Sequence, residues 1–270
     1  MHRIALALGG LALVGVVLPR YLWFGARRRL PGATVAALDL EGGPRLAYRH
    51  LRGGRPRPGR RLVILAHGLL KSGSLPSLVA LAQRLGERFD VLTFDLPGHG
   101  ASGGAATLDW ERAGACVEAM ARLGRSLGYE RVGVVGYALG AGAAILAAAQ
   151  GAPVDALVSV SAPAAPDGYR DFHPFVVRAL RGWARLMGTR LAPGAAGWSG
   201  PWPAEVVASV APRPLLVVHN RLDTVVSRAA SESLYALARP PKDYYAAIGL
   251  HASPRASADV VIAWLDAHLG

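Results

Sequence analysis

An α/β fold, with a mostly parallel sheet covered by helices on both faces, is what this 270-residue sequence predicts. Three observations carry the prediction. From Arg61 onward, short apolar, β-branched runs alternate with longer runs of helical spacing. The short runs are almost continuously apolar, as strands buried on both faces are. The Gly, His and Asp residues gather just after those runs, where ligands sit in parallel sheets. With 52 % hydrophobic and 18 % charged residues, the chain can fill a sizeable core, and a disordered chain is excluded.

Element by element, residues 33–40 and 45–51 form an expected antiparallel pair. Segments 62–66 (LVILA), 90–95 (DVLTFD), 131–135 (RVGVV), 155–161 (DALVSVS), 214–219 (PLLVVH) and 243–249 read as strands. Segments 76–88, 110–127, 139–150, 227–238 and 256–269 have helical spacing, with Pro76 and Asp109 as start signals. The Gly/Pro/Arg stretch 52–61 is too polar and turn-rich for a core and reads as an exposed loop. There is no internal repeat or low-complexity tract.

The net charge of +12 is unevenly placed. Residues 1–61 hold twelve arginines against Asp39 and Glu41, and the remaining 209 residues are nearly neutral. A basic front on a neutral body argues against a nucleic-acid-binding face. Only Lys71 and Lys242 are lysines, an arginine bias that, with the heavy use of Ala and Gly, reflects coding composition. The lone cysteine, Cys116, excludes a disulfide framework and a cysteine-based zinc site, and its apolar helical neighbours mark it as core.

Residues 4–18 are fifteen uncharged apolar positions behind His2 and Arg3, and apolar character resumes at Tyr21 after Pro19 and Arg20. From Ile4 to Ala26 a helix would run about 34 Å, enough to cross a hydrocarbon core of about 30 Å. Arg20 can snorkel, Tyr21 and Trp23 suit an interfacial belt, and Arg27, Arg28 and Arg29 resemble a stop-transfer flank. A cleaved secretory signal and a buried helix are the rival readings; no convincing small-residue cleavage site follows the run. The expected organisation is a membrane anchor at 1–29 and a body at 30–270. Counting positive flanks places the body in the cytoplasm as a single-pass protein. The sequence sets no oligomeric state.

The loops carry the chemistry. After 62–66 stands His67-Gly68-Leu69-Leu70; after 90–95 stands Asp95-Leu96-Pro97-Gly98-His99-Gly100-Ala101-Ser102-Gly103. After 131–135 stands Gly136-Tyr137-Ala138-Leu139-Gly140, opening an Ala-rich helix. After 214–219 comes Asn220-Arg221-Leu222-Asp223, and after 243–249 comes Leu250-His251. In order and spacing, residues 33–270 resemble the α/β-hydrolase superfamily, in its broad esterase- and lipase-like group. Tyr169–Arg190, rich in large apolar and basic residues, stands where that family inserts a small cap, expected here around 166–200.

That resemblance implies a nucleophile elbow, G-x-S-x-G, followed in the chain by an acid and then a histidine. Gly136 and Gly140 match the elbow's flanks, but its centre is Ala138. A methyl group cannot be deprotonated and cannot form an acyl-enzyme, so ordinary covalent ester hydrolysis lacks its first actor. The resemblance assigns Asp223 as the acid and His251 as the general base, and the backbone N–H groups of Leu69 and Leu139 as oxyanion donors. Asp167 is the substitute acid. Asn220 and Ser227 depart from the glycine and proline common in the family.

Other polar residues read as structural: His67 as a brace of the oxyanion loop, His99 as part of the Gly98-His99-Gly100 turn, Asp95 as a turn anchor, and His219 as a strand-end residue. Ser159 and Ser161 lack elbow glycines and do not replace the nucleophile. Asp171 and His173 have no partners at ligand spacing, so no metal is expected, and no cofactor. Three functions remain open. The chain is a hydrolase-lineage protein with impaired or non-covalent activity on a small or lipid-like ester. It is a membrane-anchored pseudoenzyme that binds a ligand or partner through the pocket. Or it is an enzyme that uses Asp223 and His251 as a base without a covalent step.

Overall fold

Strand Arg61–Ala66 (β3) shows how the sheet is built: Leu62, Ile64 and Ala66 enter one core, and Val63 and Leu65 the other. Because side chains alternate along a strand, a continuously apolar run needs a core on each face. The computed structural model describes residues 29–53, 59–165, 182, 184, 188–192 and 199–270. The expected anchor at 4–26, most of the expected cap, and Asp167, Asp171 and His173 lie outside the described residues.

Eight strands form one sheet. The strands are β1 (Ala33–Asp39), β2 (Arg45–Leu51), β3, β4 (Asp90–Phe94), β5 (Arg131–Tyr137), β6 (Ala156–Val160), β7 (Leu215–Asn220) and β8 (Lys242–Ala247). Their spatial order is β1-β2-β4-β3-β5-β6-β7-β8. β1 pairs β2 and β2 pairs β4 antiparallel; every other neighbour is parallel. The expected antiparallel pair is therefore present, at the edge of a mostly parallel sheet.

The helices are α1 (Pro76–Leu85), α2 (Trp110–Ser126), α3 (Leu139–Ala149), α4 (Pro203–Val206), α5 (Arg228–Leu237) and α6 (Pro254–Leu269). A 3₁₀ turn, Val207–Val210, follows α4. α1 and α6 cover the Val63 face, where Leu78, Leu81, Trp264 and Leu265 pack with Val91 and Val135. α2 and α3 cover the other face, where Trp110, Met120 and Ile145 meet Ile64, Leu92 and Phe94.

Local chemistry sets the helix starts. Pro76 and Pro254 stand in first turns, where a missing N–H costs nothing. The Asp109 side chain accepts from the Arg112 N–H at 2.9 Å, capping α2. Ser227, a departure from the family's proline, caps α5 by accepting from the Ala230 N–H at 3.2 Å. α3 is apolar on every side and buried from Leu139 to Ala148. Its small residues let α2 approach closely: a Cβ on Gly142 would stand 2.3 Å from the Trp110 ring.

The C-terminal part of the expected cap is pinned to the body at two places. The Arg190 N–H donates to Gly98 O at 2.8 Å, and the Ser199 N–H to Leu108 O at 2.8 Å. Cys116 is buried in α2, its thiol pushed by burial up to about 12, in keeping with a core residue. Among the described residues, no helix is long and apolar enough to cross a membrane.

Candidate active site

The loops that carry the chemistry leave the carboxyl ends of β3, β5, β7 and β8. With β6 between β5 and β7, those strands are neighbours in the sheet, so four distant stretches of sequence meet along one edge.

β5 ends at Tyr137, and α3 begins at Leu139, so Ala138 makes the whole turn. Its dihedrals are φ 49° and ψ −111°, a left-handed conformation that a residue with a Cβ adopts only under constraint. The constraint is visible on both sides. The Ala138 N–H donates to Val160 O at 2.9 Å, and the Ala138 carbonyl accepts from Ala141 and Gly142 at 3.0 and 3.1 Å. Gly136 and Gly140 are needed for close approach: a Cβ on Gly136 would lie 2.4 Å from Gly140 O and Ala141 Cα, and one on Gly140 would lie 2.4 Å from Ala66 O. The elbow is thus fully formed around a methyl group, and Ala138 is buried.

Beside it runs the loop after β3. A Cβ on Gly68 would stand 3.3 Å from the Ala138 methyl, so this loop and the elbow touch at a glycine. Two histidines brace the loop. His67 spans Gly68 O at 2.8 Å through Nδ1 and the Leu96 N–H at 2.9 Å through Nε2. His99 spans Pro97 O at 2.9 Å through Nδ1 and the Leu70 N–H at 3.1 Å through Nε2. In each ring, Nδ1 donates and Nε2 accepts, which describes a neutral imidazole. Burial lowers both pKa values, that of His99 to about 3. Asp95 anchors the same region by accepting from the Gly73 and Ala101 N–H groups, at 2.7 and 3.0 Å, and from Arg49 at 3.0 Å. No hydrogen bond among the described residues engages the N–H of Leu69 or of Leu139. Those are the two donors expected for an oxyanion.

Asp223 and His251 come together. His251 Nδ1 lies 2.9 and 2.8 Å from the two carboxylate oxygens, and the Asp223 side chain is fully buried. The Val225 and Val226 N–H groups donate to Oδ1, each at 2.9 Å. Burial alone would raise the Asp223 pKa, but His251 and the two amides outweigh it and hold it below the usual carboxylate value. An ionised carboxylate only accepts, so Nδ1 of His251 carries the hydrogen, and Nε2 of the neutral ring keeps its lone pair. The His251 loop is tied to the elbow's own anchor: Ser161, next to Val160, accepts from the Ala252 N–H at 3.4 Å. Asn220 Nδ2 donates to the same hydroxyl at 3.4 Å. Ser161 is therefore engaged in holding this loop. His219 sits at the end of β7 with Nδ1 3.3 Å from Ser231 Oγ.

Sequence reasoning passed over Lys71. Its Cδ lies 3.8 Å from where a Cβ on Gly68 would be, so its stem flanks the same glycine as the Ala138 methyl. The available signal was its rarity, as one of two lysines in an arginine-rich chain. Among the described residues, no cluster of His, Cys, Asp and Glu is arranged to hold a metal ion.

An eight-stranded, mostly parallel sheet with a left-handed elbow after its fifth strand is the architecture of an α/β hydrolase. The family described as having the alpha/beta hydrolase fold matches residues 61–187, and the chain has that fold. It is similar to N-formylmaleamate deformylase of Pseudomonas putida, 35 % identical over 105 residues. That match covers 37 % of this chain and 39 % of the relative's length. An esterase of Pyrococcus furiosus superposes with a TM-score of 0.72 at 20 % identity, over 88 % of this chain and 92 % of that one. An N-formylmaleamic acid deformylase of Pseudomonas putida, solved with one serine-to-alanine substitution, superposes with a TM-score of 0.66 at 19 % identity, over 85 % and 100 % of the two chains.

Proposed function

We propose that this chain is an ester- or amide-binding α/β hydrolase that lacks its covalent nucleophile and hydrolyses activated esters slowly, through a water. The observation that carries this reading is the Asp223–His251 pair, held at 2.8 Å on a loop that Ser161 ties to the strand anchoring the Ala138 elbow. Relatives named as an esterase and as deformylases support an ester or amide as the substrate class.

The step needs no covalent intermediate. His251 Nε2 takes a proton from a water as its oxygen bonds to the carbonyl carbon, and the C=O pair moves onto oxygen. The N–H groups of Leu69 and Leu139 stabilise that oxyanion, and Asp223 stabilises the imidazolium. The tetrahedral species then expels the alcohol, to which His251 returns the proton. Enzymes missing one triad member retain about 10³–10⁴-fold catalysis over water, which sets the scale expected here. The experiment is steady-state turnover of a p-nitrophenyl ester. The reading requires slow turnover without a burst, reduced further by His251→Ala. Ester binding with no turnover above buffer would replace it with the pseudoenzyme reading, which Ala138 itself favours.

Residues 4–26 are proposed to hold the body on a membrane, on its cytoplasmic side, as a retained single-pass anchor. The apolar length and the Arg27–Arg29 flank support this. Recovery of a shortened N-terminus in a soluble fraction would replace it with a cleaved signal.

A further inference from the structure

We propose that Lys71 forms an anion subsite beside the elbow, so that the pocket takes esters or amides that also carry a carboxylate a few bonds from the reacting carbonyl. This rests on the ester- or amide-pocket reading above and names the substrate class more closely.

The two lysines of the chain are treated differently by the fold. The Lys242 ammonium donates to Tyr235 O at 2.6 Å and Ala236 O at 3.3 Å, and rests 4.6 Å from the centre of the Tyr235 ring. Its position is explained by those contacts. The Lys71 ammonium makes no hydrogen bond or ion pair among the described residues, although the side chain is half-buried against the oxyanion loop. A partly desolvated cation with no partner is unfavourable, and a ligand anion offsets that cost.

Asp223 does not supply the missing partner. Its side chain is fully buried, and its oxygens already receive His251 and the Val225 and Val226 amides. Its charge draws the Lys71 pKa upward, yet burial prevails and leaves it below the usual lysine range. Asp95, the other carboxylate of this region, is fully buried and already engaged by Arg49 and by the Gly73 and Ala101 amides. His67 and His99 are neutral, and the Leu69 and Leu139 amides together with the N-terminus of α3 present positive dipole ends. The pocket is therefore biased toward a negatively charged occupant. One group on that occupant is the carbonyl oxygen at the amides, and the other is a carboxylate at Lys71. An ammonium is a compact point charge on a flexible stem, suited to a single carboxylate.

The test uses the full-length protein and two esters of nearly equal shape, monomethyl succinate and dimethyl succinate, with binding read by calorimetry. A charge-assisted contact predicts that the monoester binds about ten-fold tighter or more. Lys71→Met, which keeps the stem, should erase that preference and leave the diester's affinity unchanged. Lys71→Gln is the second variant, and the two-ligand comparison on the unaltered protein decides the matter even if neither variant folds. Equal binding of the two esters, or a preference that survives in Lys71→Met, overturns the subsite and leaves the ester-pocket reading standing. Binding of neither ester overturns both.

Discussion

Asp223 holds His251 through both carboxylate oxygens, at 2.9 and 2.8 Å from Nδ1, although the residue that such a pair would activate is a methyl-bearing Ala138. The two side chains come from loops after different strands, and each loop is independently tied down. The Val225 and Val226 amides fix the carboxylate, and the Ala252 N–H fixes the histidine loop on Ser161. Ala138 keeps the left-handed backbone of an elbow, with φ 49°. Backbone strain of this kind costs on the order of 1–3 kcal/mol and persists only where surrounding packing imposes it.

The elbow glycines should be among the least replaceable residues. A Cβ on Gly136 or Gly140 would lie 2.4 Å from backbone atoms that no side-chain motion can clear. Gly136→Ala and Gly140→Ala should each destabilise by about 3 kcal/mol, at the upper end of overpacking effects. In a chain of this size that lowers the thermal midpoint by on the order of 10 °C. A differential scanning measurement that finds either variant as stable as the parent would place the elbow differently.

Acid should destabilise the fold before the carboxylates titrate. Burial disfavours the His99 cation and pushes its pKa from the ordinary 6.5 to about 3 in the folded protein; His67 is lowered for the same reason. A depressed folded pKa means the unfolded chain takes up the proton first. The stability from a neutral buried imidazole is complete above about pH 6.5 and declines as pH falls toward the folded pKa. The slope approaches about 1.4 kcal/mol per pH unit for each such histidine. Asp223 adds to the loss only below the ordinary Asp range, since its folded pKa is also depressed. Denaturant titrations between pH 7 and pH 4 should show this slope, and His99→Gln should flatten it.

Ala138→Ser should not stabilise. The site is buried and strained, and serine brings a hydroxyl whose hydrogen bond is worth about as much as its desolvation costs. A neutral effect or a loss of about 1 kcal/mol is expected by thermal denaturation. A clear gain would show that the turn is shaped for serine's stability and not for its reactivity.

Much of this was legible in the sequence because buried parallel strands leave continuous apolar runs. Segments 62–66 and 131–135 fall within β3 and β5, Pro76 and Asp109 mark real helix starts, and His67 serves as a brace; His99, expected only as part of its own turn, braces the same loop as well. The run at 155–161 was one residue too long at each end, since Asp155 accepts hydrogen bonds instead of pairing and Ser161 turns to φ 52°. β8 starts at Lys242 and not at 243, an edge strand whose exposed and half-buried residues alternate and blur its boundary. The short α4 and the 3₁₀ turn after it carry too few residues for a period and were missed. Ser227 looked like a family departure, and only the helix beginning beside it shows its use as a cap. Lys71 was invisible as a site residue because nothing in its neighbours' spacing reports that its stem would cross Gly68.

Labelling with a fluorophosphonate tests the central claim most directly, namely that the hydrolase machinery is intact around a missing nucleophile. The account predicts no label on the parent protein and stoichiometric label at position 138 in Ala138→Ser, lost again when His251→Ala is added. A folded Ala138→Ser that resists the probe, or label on Ser159 or Ser161 in the parent, would contradict it.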